Sequence, residues 1–210
     1  TLSAQDHTSS VKKNALHYFS NGVLTGQIRD FSMVTINKKE LSDFYANAIG
    51  ASIHYETLPF KGFSVALNGI FVYRTVSNDL LAIDSISNQF SRYELQLFDV
   101  EHKGNYTDLD RLEELYLKYE TEKIRVMYGK MELISPLINL HDGRMKPKVF
   151  SGFQTNYHHG GSTTNVAWFN KASPRSITHW FTIEDAIGLY NNGYIMDTLE
   201  ADYHHNISSK

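Results

Sequence analysis

The sequence predicts an all-β chain, an antiparallel transmembrane β-barrel or part of one. Two segments alternate apolar and polar residues over about ten positions each, long enough to cross a bilayer as tilted strands. Connections between alternating segments are short and long in turn, the asymmetry of a barrel with tight turns at one rim and loops at the other. Tyr 13 and Phe 12 against Trp 2 supply the aromatics that interfacial girdles use. The mean hydropathy of −0.36 does not oppose this, because alternation halves the apparent hydrophobicity of a barrel.

Residues 1–13 are polar and read as a flexible segment, and 14–210 as the partial barrel. The first strand starts near Leu24, where Leu24, Gly26 and Ile28 alternate with Thr25, Gln27 and Arg29. Phe31, Met33 and Val34 break that alternation and predict a bulge near Asp30. The second strand alternates Ile49, Ala51, Ile53 and Tyr55 with Ala48, Gly50, Ser52, His54 and Glu56. Leu58 to Gly62 is a turn, and Phe63, Val65, Leu67, Gly69, Phe71 and Tyr73 form the outward side of the third strand.

Residues 75–106 read as a long polar connection with one short amphipathic element, Tyr93 to Val100. Leu109 to Lys123 is ambiguous. Leu109, Leu112, Leu115, Tyr116 and Tyr119 have helical spacing, whereas Leu115, Leu117 and Tyr119 alternate as in a strand. A turn at 121–123 leads to Ile124, Val126 and Tyr128. Phe153 to Tyr157, a turn at 158–162 and Val166 to Phe169 read as two more strands, and 194–207 as one or two. The total is about eight or nine strands.

Ser135 to Phe150 fits neither strand nor helix, since Pro136 and Pro147 remove backbone donors. It mixes Asn139, His141, Asp142, Arg144, Lys146 and Lys148 with Leu137, Leu140 and Met145, a composition suited to a confined, water-filled space. The order Ser135-Pro136-Leu137, Asn139, His141-Asp142, Arg144-Met145, Pro147 and Phe150 through Gly152 resembles the inward-folded constriction loop of the OprD-type outer-membrane porins. Thr25 to Arg29, Gly50 to Thr57, Gly62 to Ser64, Thr107 to Tyr119 and Ala172 to Ser176 resemble that family in the same order. The resemblance covers residues 14–195.

The resemblance implies several things. Leu109 to Lys123 becomes a strand, and the chain becomes part of a barrel of roughly eighteen strands. The loop at about 133–150 folds inward, with Ser135, Asn139, His141, Asp142, Arg144, Lys146 and Lys148 as permeation residues. Opposed charges in a narrow lumen set up a transverse field that selects solutes. Arg29, Arg74, Lys118, Arg125 and Lys130 fall on or beside the polar face and are candidate lumen residues. Glu56, Glu114 and Glu120 share that face and dilute any preference for anions.

The implied function is passive, selective diffusion of small polar solutes such as amino acids, peptides, organic acids or sugars across the outer membrane of a Gram-negative bacterium. Its partners are those solutes and outer-membrane lipid, without nucleic acid, consistent with a net charge of −3. No enzymatic role, cofactor or metal is expected. The chain has no cysteine, His141 and Asp142 match no zinc spacing, and no G-x-S-x-G elbow occurs. His158-His159 and His204-His205 are sequence neighbours that point to opposite faces of a strand. A soluble β-rich domain that binds a ligand with Ser135 to Phe150 is the alternative. The start of the chain lacks a signal peptide and its end lacks a terminal aromatic. A mature form is therefore expected, and a fragment or truncated product whose open edges favour self-association.

Overall fold

The computed structural model describes residues 15–105, 109–133, 135, 138, 144–186, 194–197 and 202–205. Eight antiparallel strands form one open sheet in chain order: β1 Val23–Thr35, β2 Phe44–Glu56, β3 Phe63–Ser77, β4 Leu109–Glu120, β5 Ile124–Met131, β6 Val149–His159, β7 Ser162–Ser173 and β8 Phe181–Thr182. A short helix, α1 (Ala15–Ser20), precedes the sheet, and another, α2 (Ile183–Ala186), follows β8. A separate pair, β9 Tyr194–Asp197 and β10 Asp202–His205, ends the described chain. No described helix is long and apolar enough to cross a membrane.

The short turns, at 57–62, 121–123 and 160–161, lie at one rim. The connections at 36–43, 78–108, 132–148 and 174–180 lie at the other. Gly62, with φ 89°, makes the first tight turn possible; a side chain there would meet Tyr119 at 2.8 Å.

Leu109 to Glu120 is a strand along its whole length, so the sheet overrides the helical spacing of its leucines. Tertiary pairing with both neighbours satisfies its backbone, which an isolated charged helix would have to do alone. The bulge expected near Asp30 is absent: β1 pairs with β2 in unbroken register from Val23 to Thr35. Phe31 and Met33 face inward because apolar residues await them there. The shifts occur elsewhere. Thr75, Glu113 and Asn170 are the extra residues in the β2–β3, β3–β4 and β6–β7 ladders.

The two faces differ. Ile49, Ile53, Phe63, Val65, Leu67, Phe71, Tyr73, Leu115, Leu117, Tyr128, Val166 and Trp168 leave large apolar side chains exposed on one face. Aromatics close this band at both ends: the rings of Phe63 and Tyr119 meet at a tilt, 4.7 Å apart, near the short turns, and Tyr73 stands ten positions further along β3. Ten residues of strand tilted by about 40° rise roughly 25 Å, the height of the apolar band of an outer-membrane barrel.

The inner face near the long connections is dry. Phe44, Ala46, Ala48, Ile70, Val72, Phe150 and Ala172 of the strands pack on Leu80, Phe90, Leu95, Leu97, Phe98, Val100, Met145 and Ile177 of the connections. The element expected over Tyr93 to Val100 is a single 3-10 turn, Glu94–Leu97, all of it buried. The long connections therefore fold onto the inner wall. Each large side chain buried there contributes about 1.5–3 kcal/mol.

Candidate functional site: the inner wall and its inserted loop

Residues 144–147 cross the inner wall. Arg29 on β1 donates from Nη1 to the Arg144 carbonyl at 2.6 Å. Met145 lies flush on β2, where a Cβ added to Gly50 would be 2.8 Å from its terminal methyl carbon. Gly50 is thus the gap through which the loop touches the wall. Arg144 donates from Nη1 to the Gln96 side-chain oxygen. Gln96 in turn accepts a bond at its carbonyl from Ser176 Oγ at 2.8 Å.

Arg111 on β4 is the hub beneath the loop. Its Nε donates to Glu113 Oε2 at 2.8 Å and its Nη2 to Glu113 Oε1 at 2.5 Å. Nη2 also reaches the Pro147 carbonyl at 2.9 Å, while Nη1 donates to Ser173 Oγ and the Pro174 carbonyl, both at 2.7 Å. The bulge at Glu113 lets this residue and Arg111 share the inner face. Both are buried, so the pair is held by geometry that satisfies nearly every donor of the guanidinium. Reading along the chain does not reveal this role, because the partners of Arg111 other than Glu113 lie 36 to 66 positions away.

Lys146 is fully buried and donates to the Ile177 carbonyl at 2.7 Å. Burial drives its ammonium well below the usual lysine range. It holds the loop down and does not face a water-filled lumen, contrary to the expectation for a permeation residue. Lys148 is half-buried, also lowered by burial, and reaches the Ala186 carbonyl at 3.3 Å. Ser135 Oγ accepts the Ile138 N–H at 3.0 Å. Asn139, His141 and Asp142 lie outside the described residues, as do residues 1–13.

Nearer the short turns the inner wall is polar. Lys118 pairs with Glu56 at 2.5 Å and with Glu120 at 3.3 Å. Arg125 donates from Nε to Glu120 at 2.7 Å, and His54 Nδ1 lies 3.1 Å from Glu114. Lys118 and Arg125 thus face inward with carboxylates on them. Arg74 lies opposite Ala48 at the long-connection rim, exposed, with Nη1 3.4 Å from Ser77 Oγ. Lys130 departs from the expected face. It pairs with Leu115, and that register sets it on the outward side, its Nζ 4.7 Å from the centre of the Trp180 ring.

Asp99, Glu101 and His102 bring one ligand atom each within 4.8 Å of one another. Asp99 spends its oxygens on the Glu101 N–H at 2.9 Å, on His102 at 3.1 Å and on Thr178 at 3.4 Å, so the cluster anchors the connection to the segment after β7.

No family model and no curated protein matches the chain. Solved structures do. Pseudomonas aeruginosa OccK8 (OprE) is similar with a TM-score of 0.61 and 19% identity, over 82% of this chain and 40% of that one. A BenF-like porin from Pseudomonas fluorescens Pf-5 is similar with a TM-score of 0.57 and 14% identity, over 78% and 40%. Pseudomonas aeruginosa OpdK, solved with vanillate, is similar with a TM-score of 0.54 and 17% identity, over 78% and 39%. The chain spans about two-fifths of the length of each. Its eight-stranded open sheet, with an apolar outer face and connections folded onto the inner one, has the fold of part of an OprD-type porin barrel.

Proposed function

We propose that this chain forms a wall section of an OprD-type porin in the outer membrane of a Gram-negative bacterium. The pore carries small polar solutes passively and selectively. The observation that supports this most is the bond from Arg29 to the Arg144 carbonyl, which brings the inserted loop across the inner wall instead of out into solvent. The exposed apolar band on the opposite face argues in the same direction. Vanillate, found with OpdK, is an organic acid and belongs to the solute class proposed.

Within this reading Ser135, Asn139, His141, Asp142 and Arg144 border the constriction, and Arg29, Lys118 and Arg125 line the approach to it. The acids on Lys118 and Arg125 moderate the positive field there. Lys146 and Lys148 are reassigned from permeation to support of the loop. The test is conductance in planar bilayers of a barrel that contains this chain. Ion conduction is expected, together with a shifted reversal potential for Arg144→Ala, since one fixed charge matters where few waters screen it. A folded barrel that does not conduct would refute the reading. Conduction with an unchanged reversal potential would remove Arg144 from the filter.

A further inference from the structure

Two connections at the long-connection rim enclose a cavity of about 180 Å³. The segment 36–43 forms one side and residues 84–94 the other, joined by Thr35 and Phe44 at the strand ends. Two carboxylates line it, and both are buried: Asp84 is 4% exposed and Glu94 1%. They are held differently. Asp84 accepts the N–H groups of Ser42 at 2.6 Å, Ser87 at 2.7 Å and Ile86 at 3.0 Å. The bonds from Ser87 and Ser42 hold its carboxyl well below the usual range, so backbone dipoles satisfy that charge. Glu94 has only hydroxyls. Thr35 Oγ1 donates to its Oε1 at 2.5 Å and Ser91 Oγ to its Oε2 at 2.8 Å. Among the described residues no cation pairs with it.

A buried carboxylate is costly unless a cation or several donors meet it. Thr35 and Ser91 fill one acceptor position on each oxygen of Glu94, about half of its capacity. The other half, and the charge, are left to whatever occupies the cavity. Arg92 brings one positive charge to the lining against the two acids, its guanidinium 5.5 Å from the centre of the Tyr93 ring. One more positive charge balances the site. Phe44, Phe90 and Tyr93 supply apolar wall.

We propose that this cavity binds a small primary ammonium compound, its –NH₃⁺ on the Glu94 carboxylate and its alkyl part against Phe44, Phe90 and Tyr93. The volume limits it to about six non-hydrogen atoms, taking roughly 30 Å³ for each group of the size of a water molecule. An ammonium is a compact charge with three donors, enough for both open positions on Glu94. A neutral alcohol supplies one donor and leaves the charge uncompensated. A quaternary ammonium supplies charge without a donor. The site goes beyond the porin reading and does not rest on it, because the cavity belongs to the folded connections whether or not the sheet encloses a pore.

The test adds n-butylammonium chloride to the isotope-labelled full chain, folded in zwitterionic micelles, and follows amide shifts by NMR. Saturable shifts are expected at Ser42, Ser91 and Glu94, and none from n-butanol or tetramethylammonium at the same concentrations. Glu94→Gln keeps the shape and removes the charge, and should weaken binding by about tenfold or more. Glu122→Gln, in the turn at the opposite rim, should not change it. No saturable shift in the parent overturns the proposal, as does equal affinity in Glu94→Gln. Where that variant fails to fold, the parent alone decides. Equal binding of n-butanol would reveal a cavity that selects apolar size, and equal binding of tetramethylammonium an attraction to charge without bonds to Glu94; either overturns the assignment. None of these outcomes touches the porin reading, which conduction in bilayers decides.

Discussion

Arg29 and Arg144 are 115 positions apart, yet the guanidinium of the first donates to the carbonyl of the second at 2.6 Å. The first strand of the sheet thereby holds the segment between β5 and β6. Removing the donor leaves a half-buried carbonyl without its charge-assisted bond, at a cost of about 1.5–3 kcal/mol. Arg29→Ala should therefore raise amide hydrogen exchange at Met145 and Lys146 roughly ten- to hundredfold while β3 and β4 stay protected. Unchanged exchange would mean that Met145 packing alone keeps the loop in place.

Arg111→Ala should be among the most damaging single substitutions, because it strands the Glu113 carboxylate in a dry site; about 3–5 kcal/mol is expected. Replacing both residues by leucine should recover a large part of the loss. Urea midpoints in detergent give the comparison. A double variant as unstable as the single one would show that the carbonyl contacts to Pro147 and Pro174 matter more than the ion pair.

The faces of the sheet can be read with single cysteines in bilayers. Substitutions at Ile49, Phe63, Val65 and Leu67 should resist a water-soluble thiol reagent, and those at Ser52, Asn68 and Lys118 should react. The first set is exposed on the apolar face and the second lies on the inner face. The reverse pattern would invert the assignment of inside and outside.

His102 offers a pH dependence. Its hydrogen bond to Asp99, reinforced by the charge of that carboxylate, raises the imidazole above its usual range. A raised folded value means that the contact stabilises fully below the unfolded pKa of about 6.5 and is lost as pH climbs through the folded one. Protection of residues 99–102 should thus weaken on going from mildly acidic to alkaline pH. An NMR titration of His102 should show the raised value, and Asp99→Asn should return it toward normal. The same titration curve in both proteins would rule out the contact.

Much of the outer wall was legible in the sequence. Ile49, Ile53, Phe63, Val65, Leu67 and Leu117 occupy the exposed apolar face that their spacing predicted, and the turns at 58–62 and 121–123 fall where Gly, Pro and polar residues cluster. The inner wall was less legible. Phe31 and Met33 looked like a fault in the pattern but meet a dry core that distant connections supply. The lumen assignment also failed for Lys130, which lies on the opposite face.

Sequence by itself determined most of the strands, their outward residues and the odd character of Ser135 to Phe150, because period-two alternation and the effect of proline are properties of neighbouring residues; it left Leu109 to Lys123 open between helix and strand. Tertiary structure alone decided the rest. Register flips a whole strand segment when one residue is inserted, and the extra Thr75, Glu113 and Asn170 appear only when two strands are laid together. It likewise decided that Arg111 and Lys146 are buried anchors. Burying a charge is tolerable only where partners converge on it, and theirs come from segments far along the chain that meet only in the folded sheet.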